Sequence, residues 1–280
     1  MKTVIELNDL RQERQRLSEP VGLVPSMGYL HTGHLSLART ARLECASVIA
    51  TIFVNPSQFT ANEDLASYPR DLERDLHLLE NAGVDLVWVP TSEIMYPAAY
   101  QTWVTVEKVS LPLEGERRST HFRGVATIVA KLFNATQPHK AYFGQKDAQQ
   151  VVVIKRMVED LNFPLQVVVC PTVREADGLA MSSRNNYLNP AERKAAAVLY
   201  RALIRAKSAF SGGERDVNRL RGIVQEVVNQ EPLAQLQYVS CANPLTLQEL
   251  EGRLDGQALL SMAVFFGKTR LIDNILLNNE

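Results

Sequence analysis

The chain has 280 residues, 46% of them hydrophobic and 22% charged, with a net charge of -1 at pH 7. That length fits two domains, and the composition is that of an ordinary globular protein. The near-zero charge argues against a protein built to coat nucleic acid, and no apolar run approaches the ~20 residues needed to span a bilayer. The opening Met1-Lys2-Thr3-Val4-Ile5-Glu6 turns polar at once and reads as no secretory signal. Cys45, Cys170 and Cys241 are far apart and form no metal or redox spacing. Buried free thiols in a reducing compartment, the cytoplasm, are the expected state.

In chain order, Val21 to Val24 reads as a strand and Leu35 to Arg42 as a helix. Ser47 to Val54 is a continuous β-branched run, as expected of a strand buried on both faces. Tyr68 to Asn81 is amphipathic, with leucines at 72, 76 and 79, and stops at Gly83. Val84 to Val89 reads as a strand, Gly124 to Ala135 as a helix, Ala141 to Phe143 as a short strand. Asp147 to Leu161 then reads as a helix and Leu165 to Cys170 as a strand. Strands alternating with helices in this way predict βαβ units and a parallel sheet.

The character changes after Thr172. Pro190 to Phe210 reads as one alanine-rich helix, broken by Ser211-Gly212-Gly213, and Asp216 to Gln230 as another. Strand-like runs follow at Leu236 to Cys241, Ala258 to Phe266 and Thr269 to Ile275. The expected fold class is α/β: a Rossmann-like parallel sheet domain over 1–175, then a smaller α+β lid domain over 176–280.

The stretch Pro25-Ser26-Met27-Gly28-Tyr29-Leu30-His31-Thr32-Gly33-His34 carries the most chemistry. It lies where a strand hands over to a helix. A helix start offers unpaired N–H groups and the positive end of the dipole, and glycine lets backbone approach a ligand. Two histidines three apart lie on one face and can reach one anion. A second element, Phe53-Val54-Asn55-Pro56-Ser57-Gln58-Phe59, follows the buried strand, where open α/β sheets bind ligands. Gln58 can both donate and accept, which suits a substrate with hydroxyl and carboxylate groups. Read alone, it is equally a polar Asn-Pro turn.

A third element, Phe143-Gly144-Gln145-Lys146-Asp147-Ala148-Gln149-Gln150, again ends a strand in glycine. Lys146 can meet phosphate as a point charge, while Asp147 can cap a helix or bind a ribose hydroxyl. Gln150 follows one turn later. The fourth, Thr172-Val173-Arg174-Glu175-Ala176-Asp177-Gly178-Leu179-Ala180-Met181-Ser182-Ser183-Arg184-Asn185, offers hydroxyls, N–H groups and a guanidinium to a polyphosphate, or is an ordinary linker. Between them, Arg118, His121 and Arg123 read equally as a charged loop or as the lining of an anionic pocket.

Together these elements resemble the pantoate–β-alanine ligase family. The resemblance includes Tyr68-Pro69-Arg70-Asp71, His121-Phe122-Arg123-Gly124-Val125 and the late Gly267-Lys268-Thr269-Arg270-Leu271-Ile272-Asp273-Asn274. It runs in order from about residue 20 to about 275. His-x-Gly-His alone marks only the wider nucleotidylyltransferase group; Gln58, Lys146-Asp147-x-Gln149-Gln150 and Met181-Ser182-Ser183-Arg184 are more specific. Ser26 stands where the family usually has Thr, and Ser119-Thr120 where it usually has Pro-Gly.

The resemblance implies an ATP-dependent ligase joining pantoate and β-alanine through a pantoyl adenylate, in a site that closes over that intermediate. It implies ATP as substrate, Mg²⁺ bridging phosphate oxygens with few protein ligands, and a homodimer through the first domain. It assigns His34, His31 and Lys146 to catalysis. The nucleotide site would take Met27, Gly28, Tyr29 and Leu30 together with His31, Thr32, Gly33 and His34. It would also take Gly144, Gln145, Lys146 and Asp147, then Val173 and Met181, with Ser182, Ser183 and Arg184 on the phosphates. Gln58 and Gln150 would hold pantoate, and Gln58 later β-alanine. Two readings compete: an adenylating enzyme of the same fold with another acceptor, and a nucleotide-binding regulatory subunit without catalysis. Intact His31, His34, Lys146 and Ser182-Ser183-Arg184 argue against the second.

Overall fold

Ser47 to Ile52 is buried at every position, and Val21 to Val24 likewise, as strands covered on both faces are, with Ser47 and Thr51 the polar exceptions. The computed structural model describes residues 1–59, 65–66 and 68–278. These divide into two compact units, one of residues 1–144 with 153–171, the other of residues 145–152 with 172–280.

In chain order the described residues form β1 (Lys2–Val4), α1 (Leu7–Arg14), β2 (Val21–Ser26), α2 (Thr32–Glu44), β3 (Ser47–Ile52), α3 (Leu72–Asn81) and β4 (Leu86–Trp88). Two short turns of helix, α4 (Ser92–Met95) and α5 (Glu114–Arg117), precede α6 (His121–Thr136), β5 (Lys140–Gly144), α7 (Ala148–Asp160) and β6 (Gln166–Cys170). The six strands make one sheet in the order β1-β4-β3-β2-β5-β6, and every neighbouring pair is parallel. The chain runs outward from β2 through β3 to β4, then returns to place β5 on the other side of β2. That reversal makes the carboxyl ends of β2 and β5 the switch point at which open α/β sheets bind ligands. Val24, Val48, Ala50 and Ile52 pack with Leu35, Ala38 and Ala41 of α2 and Leu79 of α3.

The second unit adds α8 (Pro190–Ala196), α9 (Val198–Ser211), α10 (Val217–Asn229) and an antiparallel sheet of β7 (Ala234–Ala242), β8 (Ala258–Phe266) and β9 (Thr269–Leu277) in that order. Leu260, Met262, Val264 and Phe266 alternate along β8 and pack with Leu199, Leu203 and Phe210 of α9 and Leu220 and Val224 of α10. The expected architecture, a Rossmann-like parallel sheet followed by a small α+β part, is what the chain adopts.

Two differences from expectation are instructive. β1 and α1 carry no signal in the sequence: β1 buries only Val4 and α1 only Leu10. The single helix expected from Pro190 to Phe210 is two, with Ala197 between them at ψ -15. No glycine or proline marks that break, so an alanine run conceals it.

Candidate active site

β2 ends at Ser26, whose hydroxyl donates to the Thr51 carbonyl (2.8 Å) and accepts from Gly28 N–H (3.3 Å). A threonine would do the same, which explains the exchange at this position. Gly28 (φ 82) and Tyr29 (φ 50) then turn the chain through left-handed backbone. The Tyr29 and Leu30 N–H groups both donate to the Asp75 carboxylate of α3, at 2.6 and 2.7 Å. Asp75 is buried, and burial pushes its carboxyl above the usual range, against the pull of those donors and Arg74.

This turn delivers His31 as the N-cap of α2. His31 Nδ1 accepts from Gly33 N–H (3.1 Å) and His34 Nδ1 from His31 N–H (3.3 Å), a capping box built from two imidazoles. The ring centroids are 4.0 Å apart. An Nδ1 that accepts has no proton, so each neutral ring carries its proton on Nε2. The pair thus presents Nε2–H donors at a helix start. Thr32 is exposed, Gly33 and Met27 half-buried, and Leu30 buried beneath the turn.

Gln58 sits in a 3-10 turn after β3, 9% exposed. Its Oε1 accepts from Asn55 Nδ2 (3.2 Å), which fixes the amide's orientation and leaves Nε2 donating to Met27 Sδ (2.8 Å). A thioether is a weak acceptor, so a carboxylate or hydroxyl would make a better partner for that N–H. Asn55, 1% exposed, also donates to the Gly124 carbonyl and accepts from the Tyr96 and Ser57 hydroxyls. Gly124 admits this packing, since a Cβ there would strike the Ser57 carbonyl and the Gln58 nitrogen. His121 Nδ1 and Arg118 Nη2 both approach the Gln58 carbonyl, at 2.8 and 3.4 Å. They support the turn from its backbone, while Arg123 lies 4.6 Å over the Trp103 ring. Thr120 holds an ordinary φ of -100, so this loop requires no glycine at that position.

Gly144 closes β5 of the first unit, and a Cβ there would meet nothing within 4 Å. The second unit carries the remaining candidates on two strips. Gln145 to Asp147 form a 3-10 turn, with Lys146 Nζ 3.4 Å from Asp147 Oδ1. Gln150 is half-buried in the first turns of α7. Val173 to Met181 fold back on themselves: Met181 N–H donates to the Val173 carbonyl (3.0 Å), and Glu175 N–H to that of Leu179 (2.8 Å). Gly178 (φ 91) makes the turn, where any Cβ would enter the Tyr200 ring. Arg193 of α8 pairs with Glu175 (2.7 Å) and Asp177 (2.6 Å), and the guanidinium holds the Asp177 carboxyl below the usual range. Ser182 Oγ accepts from Arg184 N–H (3.3 Å) and starts the 3-10 turn that carries Ser183, buried, and Arg184, half-buried.

The structure therefore brings Met27 to His34 and Gln58 into one unit. It gathers Lys146 and Asp147, Gln150, Val173 and Met181 to Arg184 in the other. Gln58 and Gln150 belong to different units. Asp75 and Asn55 are the residues that sequence reasoning missed. A signal for Asp75 existed: it falls between leucines 72, 76 and 79, a carboxylate on the apolar stripe of a helix. Among the described residues no group of three His, Cys, Asp or Glu could hold a metal ion, and no helix is long and apolar enough to cross a membrane.

A model of the pantoate–β-alanine ligase family matches residues 1–276. The chain belongs to that family. Its activity is the ligation for which the family is named. A pantothenate synthetase from Herpetosiphon aurantiacus is 57% identical over 277 residues, covering 99% of this chain and 100% of the relative. The crystal structure of pantothenate synthetase from Thermus thermophilus has a TM-score of 0.95 at 47% identity, covering 100% of both chains. That of the pantoate–β-alanine ligase from Francisella tularensis, complexed with β-γ ATP and β-alanine, has a TM-score of 0.81 at 32% identity. It covers 100% of this chain and 99% of that one. The ligase family and fold expected from the sequence are borne out.

Proposed function

We propose that the ligation runs in two steps through a pantoyl adenylate. The carboxylate of (R)-pantoate attacks the α-phosphorus of ATP, and pyrophosphate leaves. The amine of β-alanine then attacks the acyl carbon, the acyl–phosphate bond breaks, and pantothenate and AMP form. The observation that carries this reading is the imidazole pair heading α2, each Nδ1 occupied by backbone N–H and each neutral ring therefore an Nε2–H donor. Donors fixed at a helix start suit charge that builds on a departing pyrophosphate, which His34 stabilises by hydrogen bonding with His31 beside it. Lys146, Ser182, Ser183 and Arg184 hold the phosphates. The backbone from Met27 to Gly33, with Gly144, Gln145, Asp147, Val173 and Met181, takes the rest of the nucleotide. Open space where a Gly144 Cβ would stand supports close approach there.

Gln58, with its amide locked by Asn55 and its N–H on a weak acceptor, binds pantoate and afterwards β-alanine; Gln150 also binds pantoate. Mg²⁺, a hard cation, would come with ATP and supply counter-charge to its phosphates, with few protein ligands. A nucleotide- and pantoate-binding domain over 1–175, a lid domain over 176–280, a homodimer through the first domain and a cytoplasmic location belong to the same proposal. Three buried free cysteines support that location. The test is isotope exchange between ATP and pyrophosphate without β-alanine. Exchange that requires pantoate is expected. Exchange driven by a different acid would make the chain an adenylating enzyme for that acid, and no exchange with any acid would remove the adenylate step.

A further inference from the structure

The motif Gly267-Lys268-Thr269-Arg270-Leu271-Ile272-Asp273-Asn274 has no part in the chemistry above. It forms the β8–β9 turn and the first two thirds of β9. Successive residues of a strand point to opposite faces, so Asp273 and Asn274 serve opposite sides of the sheet.

Asp273 lies across from Met262, on the face packed with α9 and α10. Its fully buried carboxylate takes both terminal nitrogens of Arg174, at 2.6 and 2.9 Å. Arg174 also donates to the Gly178 carbonyl (3.1 Å) and lies 4.2 Å over the Tyr200 ring. The strip leading to Ser182-Ser183-Arg184 is thereby anchored to β9.

Asn274 lies across from Ser261, on the other face, and is 4% exposed. Its Nδ2 donates to the carbonyls of Gln145 (3.1 Å) and Lys146 (2.9 Å), and its Oδ1 accepts from Gln145 Nε2 (3.1 Å). Carbonyls only accept, so the amide can sit only this way round. Three hydrogen bonds thus fasten the turn that bears Lys146 to a sheet strand.

We propose that Asn274 is a positioning residue for Lys146. The proposal rests on the phosphate-binding role given to Lys146 above. A lysine side chain is long and flexible, so its reach is decided by where its backbone is held. The 3-10 turn beneath it is short, with weaker internal hydrogen bonds than an α-helix. Asn274 supplies the rigidity that the turn lacks, and Asp273 refers the second phosphate strip to the same strand.

The test is a double-mutant cycle on the full-length enzyme, with denaturant unfolding measured alongside. Asn274→Ala is expected to lower kcat/KM for ATP by ~10- to 10²-fold, the scale of a displacement of about 1 Å at a site. The KM for β-alanine should stay within about 2-fold. In a Lys146→Ala background the same substitution should cost less than about 3-fold more, because its effect passes through Lys146. Asn274→Ser, too short to span both carbonyls, repeats the cycle if the alanine variant does not fold. Equal losses in both backgrounds, or loss of fold in both variants, would overturn the positioning role. A Lys146→Ala enzyme with wild-type kcat/KM would instead bring down the reading of Lys146 itself, and the positioning role with it.

Discussion

In the first unit the histidines at the start of α2 are held by their own neighbours, and only the turn before them leans on a distant carboxylate, that of Asp75. His31 and His34 cap each other's helix start across three residues, and Gly28 and Tyr29 supply the bend. Lys146 in the second unit is held by a side chain 128 positions along the chain, and Arg174 by one 99 positions away. Local hydrogen bonds at a helix start need only a short stretch of chain in the right conformation. The second arrangement needs a finished sheet. The difference teaches that substitutions in the two places should fail in different ways: in the first through chemistry, in the second through stability and placement together.

The largest effect expected is on stability in the second unit. Asp273→Asn leaves the Arg174 guanidinium without its buried counter-charge and should cost about 3–5 kcal/mol. Chemical denaturation measures this, and a loss under about 1 kcal/mol would show that local contacts hold that strip after all. Next in size is His34→Ala. Turnover should fall at least ~10²-fold, while unfolding free energy drops by only about 1 kcal/mol, the scale of a lost cap. Near-normal turnover in a folded variant would end the catalytic assignment.

Gln58→Ala separates the substrates. It should weaken pantoate by roughly 10-fold, about one good hydrogen bond, and leave ATP nearly untouched. Calorimetric titration reads both, and equal losses would contradict the role. The smallest effect is a pH dependence, read by comparison with Asp75→Asn. Folding raises the Asp75 pKa, so its contribution to stability is fully present below the ordinary carboxylate range. That contribution is lost as the pH rises through the raised value. Asn does not titrate. Wild-type stability should therefore fall with rising pH relative to the variant, and parallel pH profiles would show that Asp75 is not the titrating group.

Much of this was legible in the sequence. Strands such as Ser47–Ile52 announce themselves because burial on both faces demands unbroken β-branched and apolar residues. The His31-x-x-His34 helix start was readable for a similar reason: its geometry is set by residues within reach of one another along the chain. Gln58 could be named but not oriented, since Gly124 and Tyr96, which hold Asn55 at the head of its turn, come from separate elements. Asp75 lay hidden among leucines because nothing local says that a helix carboxylate will meet the backbone of a turn 45 residues earlier.

The sequence by itself determined most of the order of strands and helices and the ligase family. Periodicity, turn chemistry and short motifs all act over a few residues, so they survive in one dimension. Only the tertiary structure decided that one β9 dipeptide grips two separate strips from opposite faces of a sheet. That outcome depends on strand register and on which loop crosses which face, and both are settled only when distant segments pack.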